Sequence, residues 1–111
     1  RAPRAQAAPG DLLGALAALA AAQHARGRDA EAEPLLREIW EARSAALGPR
    51  CPDTLQAASN LATVLQAQGQ YRDAQVLLRA VLEGREEGLG PSHPDTLRAQ
   101  SQLGALLRQA G

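Results

Sequence analysis

His24, His93 and Cys51 are the chain's only imidazoles and its only thiol, and they define what chemistry the sequence can attempt. Two imidazoles and a thiolate supply three of the four ligands of a common zinc site, so a carboxylate would have to complete it. A thiolate beside a His would be a candidate nucleophile. The spacing favours neither. Cys51 lies in Pro49-Arg50-Cys51-Pro52 with no His or acid pattern beside it that suggests a nucleophile or a metal site, and His24 is isolated. His93 stands between Ser92 and Pro94, where a structural hydrogen bond is the expected role. A Gly-rich phosphate loop, His-Glu-x-x-His and Gly-x-Ser-x-Gly are all missing from the sequence. The reading is a non-catalytic chain with no cofactor and no metal.

The elements around these residues come in copies. Leu47-Gly48-Pro49-Arg50-Cys51-Pro52-Asp53-Thr54-Leu55 returns 42 positions later as Leu89-Gly90-Pro91-Ser92-His93-Pro94-Asp95-Thr96-Leu97. Between Gly27–Leu55 and Gly69–Leu97, 14 of 29 positions are identical, among them Ala32/Ala74, Leu36/Leu78 and Glu41/Glu83. A fixed period of this size marks a stacked repeat, in which each unit buries its apolar face on the next.

Each period reads as two helices. Leu55, Ala58, Leu61, Ala62 and Leu65 form a stripe of helical period. Ala74, Leu77, Leu78, Val81, Leu82 and Leu89 form a second, matched by Ala32, Leu35, Leu36, Ile39, Trp40 and Leu47. Gly27, Gly69 and Gly111 end the first helices, and Gly48-Pro49 and Gly90-Pro91 stop the second ones. Pro52 and Pro94 suit first helical positions, with Asp53 and Asp95 at the positive ends. The expected helices span about 11–26, 28–46, 53–68, 70–88 and 95–110, after an irregular lead-in over 1–10. Pro34 falls in the second of these, costing one hydrogen bond near the start or a kink deeper in. Glu33/Arg37, Arg37/Glu41 and Arg79/Glu83 are i,i+4 pairs that support exposed faces.

Composition narrows the function classes. Apolar residues make up 45% and aromatics 2%, so the core is built from Ala and Leu, and Trp40 reads as packing. Twelve acidic residues balance twelve basic ones, all Arg, which argues against a general polyanion or membrane-surface binder. Aromatic stacking residues for nucleic acid are missing as well. The run Leu12–Ala22 after Arg1 and Arg4 has the look of a secretory signal, but it aligns in register with Leu55–Gly69 and Leu97–Gly111. It is also shorter than the ~20 apolar residues of a membrane span. The single cysteine fits a reducing, cytoplasmic setting. The absence of Met and the half repeat at the end suggest a fragment of a longer protein.

The spacing Leu61-Ala62…Leu65…Gly69…Tyr71…Ala74…Leu78 resembles the tetratricopeptide repeat, and the 42-residue period with its Leu-Gly-Pro-x-His-Pro-Asp-Thr-Leu turn resembles the long, kinesin-light-chain type. The resemblance implies an all-α, right-handed superhelical solenoid of antiparallel helix pairs. It places repeat 1 at about 11–52, repeat 2 at about 53–94 and a half-repeat at about 95–111. Cys51 replaces the turn His and Asp29 the aromatic of the first turn, so repeat 1 is divergent or terminal.

In such families the first helix of each pair lines a groove that takes an extended peptide or a partner helix. Carried over by position, that set is Gln56, Ser59, Asn60, Thr63 and Gln66, then Arg98, Ser101, Gln102, Ala105 and Arg108. Repeat 1 offers Gly14, Ala17, Ala18, Ala21 and His24. Amides and hydroxyls in a row suit capture of a peptide backbone; the alternative is a merely solvated face. Asn60 stands without a ladder, since Ala18 and Gln102 hold the equivalent places, and Arg98 and Arg108 face no acid on their own helix, making that segment mildly basic. The resemblance implies a scaffold or adaptor that binds protein, with a regulatory or self-associating segment of a larger signalling protein as the alternative. Leu106 and Leu107 are expected on an uncovered end, where they would drive self-association.

Overall fold

Glycine and proline set the boundaries of five helices. The computed structural model describes residues 9–110, with α1 at Pro9–Ala25, α2 at Asp29–Leu47, α3 at Pro52–Ala67, α4 at Tyr71–Leu89 and α5 at Pro94–Ala110. Helix α1 therefore takes in Pro9 and Gly10, which the sequence reading left in the lead-in; the rest of that segment, and the stop at Gly111, lie outside the described residues. Pro52 and Pro94 are first helical residues, where a missing N–H costs nothing. Pro34 falls in the second turn of α2 and is exposed.

The two kinds of turn use glycine differently. After α1 and α3, Gly27 and Gly69 take φ of 77° and 81°. The following amides reach back to the last turn, Arg28 N–H to the Gln23 carbonyl at 2.7 Å and Gln70 N–H to Leu65 at 2.8 Å, which satisfies carbonyls the helix leaves open. After α2 and α4, Gly48 and Gly90 sit near φ 93°, ψ 156° and φ 91°, ψ 159°. That region is essentially closed to any residue with a Cβ.

Consecutive helices pack on each other, α1 on α2, α2 on α3, α3 on α4 and α4 on α5. The first helices of the pairs thus lie on one face and α2 and α4 on the other, an all-helical solenoid. Leu61, Leu65, Leu78 and Leu106 are the largest fully buried side chains, joined by Val64 and Val81. Of the expected central core, Leu61, Leu65, Leu77, Leu78 and Val81 are buried, and Leu82 is partly buried against them. Trp40 and Tyr71 also pack partly buried on this core.

Three expectations need correction. Leu47 and Leu89 are exposed, because each is the last residue of its helix, beyond the neighbour's reach. Of the three i,i+4 pairs, Glu33–Arg37 closes at 3.0 Å, while the other two form no ion pair among the described residues. Leu106 is fully buried and does not belong to an open end. Its stripe in α5, Thr96, Ala99, Leu103 and Leu106, repeats Thr54, Ala57, Leu61 and Val64 of α3, and both stripes are buried. The helix preceding each in the chain covers it. The exposed leucines of α5 are Leu97 and Leu107, on its other side.

Two substitutions test this packing. Leu78→Ala should cost ~2–5 kcal/mol in chemical denaturation, as expected for a fully buried leucine. Gly90→Ala should cost ~1–3 kcal/mol without touching the core, because the strain sits in the backbone.

Candidate functional site

The polar row expected to meet a ligand is largely engaged within the protein. Ser59 Oγ donates to Gln102 Oε1 at 3.1 Å, and Gln102 Nε2 donates to Thr63 Oγ1 at 2.8 Å. Thr63 Oγ1 in turn donates to the Ser59 carbonyl at 3.1 Å. One turn further along, Gln66 donates to Gln109. These bonds tie α3 to α5 side by side across the face the two helices share. Gln109 was missed in the sequence, although its place seven residues after Gln102 puts it on the same stripe. Gln56 Nε2 donates to Asn60 Oδ1 at 3.0 Å along α3.

The remaining members of the set stand apart. Arg98, Ser101 and Arg108 are exposed. Arg98 does have an acid on its own helix, contrary to expectation: Asp95 lies 3.4 Å away, at i,i−3. That spacing is a neighbour on a helix surface, one turn toward the N-terminus.

On the other side of α3 the same positions carry different residues. Counting back 42 places, Ala17 and Ala21 replace Ser59 and Thr63, and Asn60 replaces the longer Gln102. No amide spans the gap there, and a cleft of roughly 180 Å³ opens between α1 and α3. Ala17, Ala21 and His24 line one wall, Asn60 and Thr63 the other, and Leu36 of α2 the floor. Ala17, Leu36 and Asn60 also border a second hollow of roughly 210 Å³ that runs on to Gln56. Together they form a shallow groove along α1 and α3. His24 is not isolated, since its Nδ1 pairs with Asp29 at the start of α2.

Other polar groups hold the turns. The Asp95 N–H donates to His93 Nδ1 at 3.0 Å, so His93 caps α5 as a structural hydrogen-bonder. Cys51, at the equivalent place before α3, makes no side-chain cap bond. Glu33 of α2 accepts from Gln68 at 2.8 Å and from Gln70 at 3.3 Å, stitching the α3–α4 turn onto α2. The Gln68 bond is the main reason that the Glu33 carboxyl is held below its usual range; Arg37 and Gln70 add to it, and burial opposes it. Among the described residues no group of three or more His, Cys, Asp and Glu side chains is placed to hold a metal ion. No described helix is long and apolar enough to cross a membrane.

A family model described as tetratricopeptide repeat matches the chain twice in tandem, over residues 12–53 and 54–95. Each match spans one full 42-residue period, and together they take in α1 to α4 almost whole. Among curated proteins none matches the chain significantly.

The Glu33 contacts give a pH dependence of definite sign. A carboxyl with a lowered folded-state pKa contributes stability above its unfolded pKa and loses it as pH falls through the folded value. Denaturation midpoints of the wild type should therefore fall on acidification below about pH 5, near the ordinary carboxylate range, more steeply than those of Glu33→Gln. Parallel curves for the two proteins would show that Glu33 does not stabilise the turn.

Proposed function

Because the chain belongs to the tetratricopeptide repeat family, we propose that it works as a non-catalytic scaffold or adaptor, holding an extended peptide or a partner helix along the face shared by α1, α3 and α5. Tetratricopeptide repeats mediate protein–protein interactions. The groove between α1 and α3 is the observation that carries the finer reading. It has an apolar wall of Ala17 and Ala21 and a floor of Leu36 for an inserted side chain, and polar groups at Asn60 and Thr63 for orientation. Few polar groups on an apolar concavity are the usual make-up of a binding site. Asn60 Oδ1 is occupied by Gln56, so its amide N–H groups face a peptide carbonyl as donors.

The other residues of the set have different parts in this reading. Ser59, Thr63, Gln66 and Gln102 act by fixing the spacing of α3 and α5, which keeps the face rigid before a partner arrives. Arg98, Ser101 and Arg108 extend the contact over α5. The lone thiol of Cys51 supports a reducing, cytoplasmic setting. Self-association through α5 has less support, since Leu106 is in the core and Leu97 and Leu107 alone remain exposed.

Peptides selected from a displayed library against the intact protein would test the site. Replacing Asn60, Arg98 and Arg108 together by Ala should weaken a selected peptide by tenfold or more, about 1.4 kcal/mol. Unchanged affinity in a variant with wild-type helicity would place binding elsewhere.

A further inference from the structure

His24 in the α1–α3 cleft lacks the cross-helix partner that its equivalent has in the next repeat. It stands in the last turn of α1 and lines the cleft. One 42-residue period on, Gln66 holds its position in α3 and donates to Gln109 of α5. The residue that corresponds to Gln109 one repeat earlier is Ala67, whose methyl group forms no hydrogen bond. The imidazole pairs instead with Asp29, the first residue of α2. Asp29 in turn stands where the second repeat has Tyr71, so the second repeat has no such pair.

This contact decides what the imidazole offers. An ionised carboxylate only accepts, so the ring nitrogen facing Asp29, Nδ1, carries a proton. In the neutral ring that leaves Nε2 as a bare acceptor. The Nδ1 contact is the ring's only hydrogen bond among the described residues.

The other polar groups of the cleft complement this acceptor. Asn60 has N–H groups to give, because Gln56 occupies its oxygen. Thr63 gives its one proton to the Ser59 carbonyl and accepts from Gln102, so it has only acceptor capacity left. The rest of the lining is Ala17, Ala20, Ala21, Leu36 and Val64, with no acid or arginine among it. A charged side chain seated there would lose hydration with no opposite charge to meet it. A purely apolar one would leave His24 Nε2 and the Asn60 amide facing it without partners.

A hydroxyl on an apolar frame meets both demands, since it donates and accepts at once. Serine and threonine would leave most of a cleft of roughly 180 Å³ unfilled, whereas a phenol ring covers its apolar lining. Resting on the reading of this groove as the peptide site, we propose that the cleft is a subsite for a tyrosine side chain of the partner polypeptide. The ring lies against Ala21, Leu36 and Val64, and the hydroxyl donates to His24 Nε2 while accepting from Asn60. Asp29 is a positioning residue, which acts by holding the His24 tautomer.

The probes are acetyl-Tyr-amide and acetyl-Phe-amide, titrated into the intact protein above the ordinary imidazole range and followed by NMR. Acetyl-Tyr-amide should give saturable shifts at Ala21, His24, Asn60 and Val64 in the millimolar range. Acetyl-Phe-amide should move the same signals with an affinity about three- to tenfold weaker, the effect of one hydrogen bond. His24→Ala should abolish the difference between the two probes and leave the weaker affinity in place. Imidazole nitrogen spectra should show the His24 proton on Nδ1, and Asp29→Ala should lose that preference together with the tyrosine advantage. A proton on Nε2 in the wild type, or a tyrosine advantage that survives His24→Ala, would overturn the part given to His24. Equal affinities for the two probes, or no saturable shift with either, would overturn the tyrosine subsite in the wild type without any variant. Neither result touches the groove reading, which the selected peptides decide separately.

Discussion

A helix at the start of a repeat carries two apolar stripes, and it needs a helix on each side to bury both. Helix α3 meets that condition in full: Thr54, Ala57, Leu61 and Val64 on one stripe and Leu55, Ala58, Ala62 and Leu65 on the other are all buried. A buried leucine contributes ~1.5–3 kcal/mol relative to an exposed one, so these two stripes outweigh every polar contact in the molecule taken singly. The helices at either end meet the condition by half. In α1 the stripe of Leu12 and Leu19 is exposed while Leu13, Leu16 and Ala20 pack inward. In α5 the reverse holds, with Leu103 and Leu106 buried and Leu97 and Leu107 open. The position of α3 between α2 and α4 sets the register of everything attached to it, including the polar row on its remaining side.

That remaining side is where the repeats differ in kind. Between α3 and α5 the side chains are long enough to meet, and Ser59, Gln102 and Thr63 close a chain of hydrogen bonds. Between α1 and α3 the same places hold alanines and a shorter amide, so the helices keep a gap. Two alanines for a serine and a threonine, and one methylene less on the amide, leave an open cleft where the other pair has an internal brace.

The sequence made the helices and their core legible because period and burial report the same thing. The apolar stripes of the 42-residue repeat mark Leu61, Leu65, Leu77 and Leu78 as core, and all four are buried. Leu106 was misplaced because a half-repeat was read as an uncovered end, whereas its stripe faces the helix before it, not the one after. Aligning Leu106 with Val64 would have shown this. The polar face was harder to read. The resemblance places Gln102 on the groove side of α5, but only the distances to Ser59 and Thr63 reveal that its amide is already engaged. The pairing of Arg98 with Asp95, three residues before it, is one the helical spacing alone permits.

Gln56 joins the two regions that set this chain apart from a uniform repeat. Its amide oxygen accepts from Arg85 at the turn edge, while its nitrogen donates to Asn60 in the groove. An amide can satisfy both ends only in one orientation, so the Arg85 contact determines which group Gln56 presents to Asn60. That choice fixes Asn60 in turn: with its oxygen accepting, it offers N–H groups to the groove. A glutamate at 56 would pair with Arg85 but could give Asn60 no donor, and an arginine, as at 98, would repel Arg85 and seek Asp53. Glutamine is the one of the three that orients both neighbours, and this leaves the asparagine a donor toward the groove.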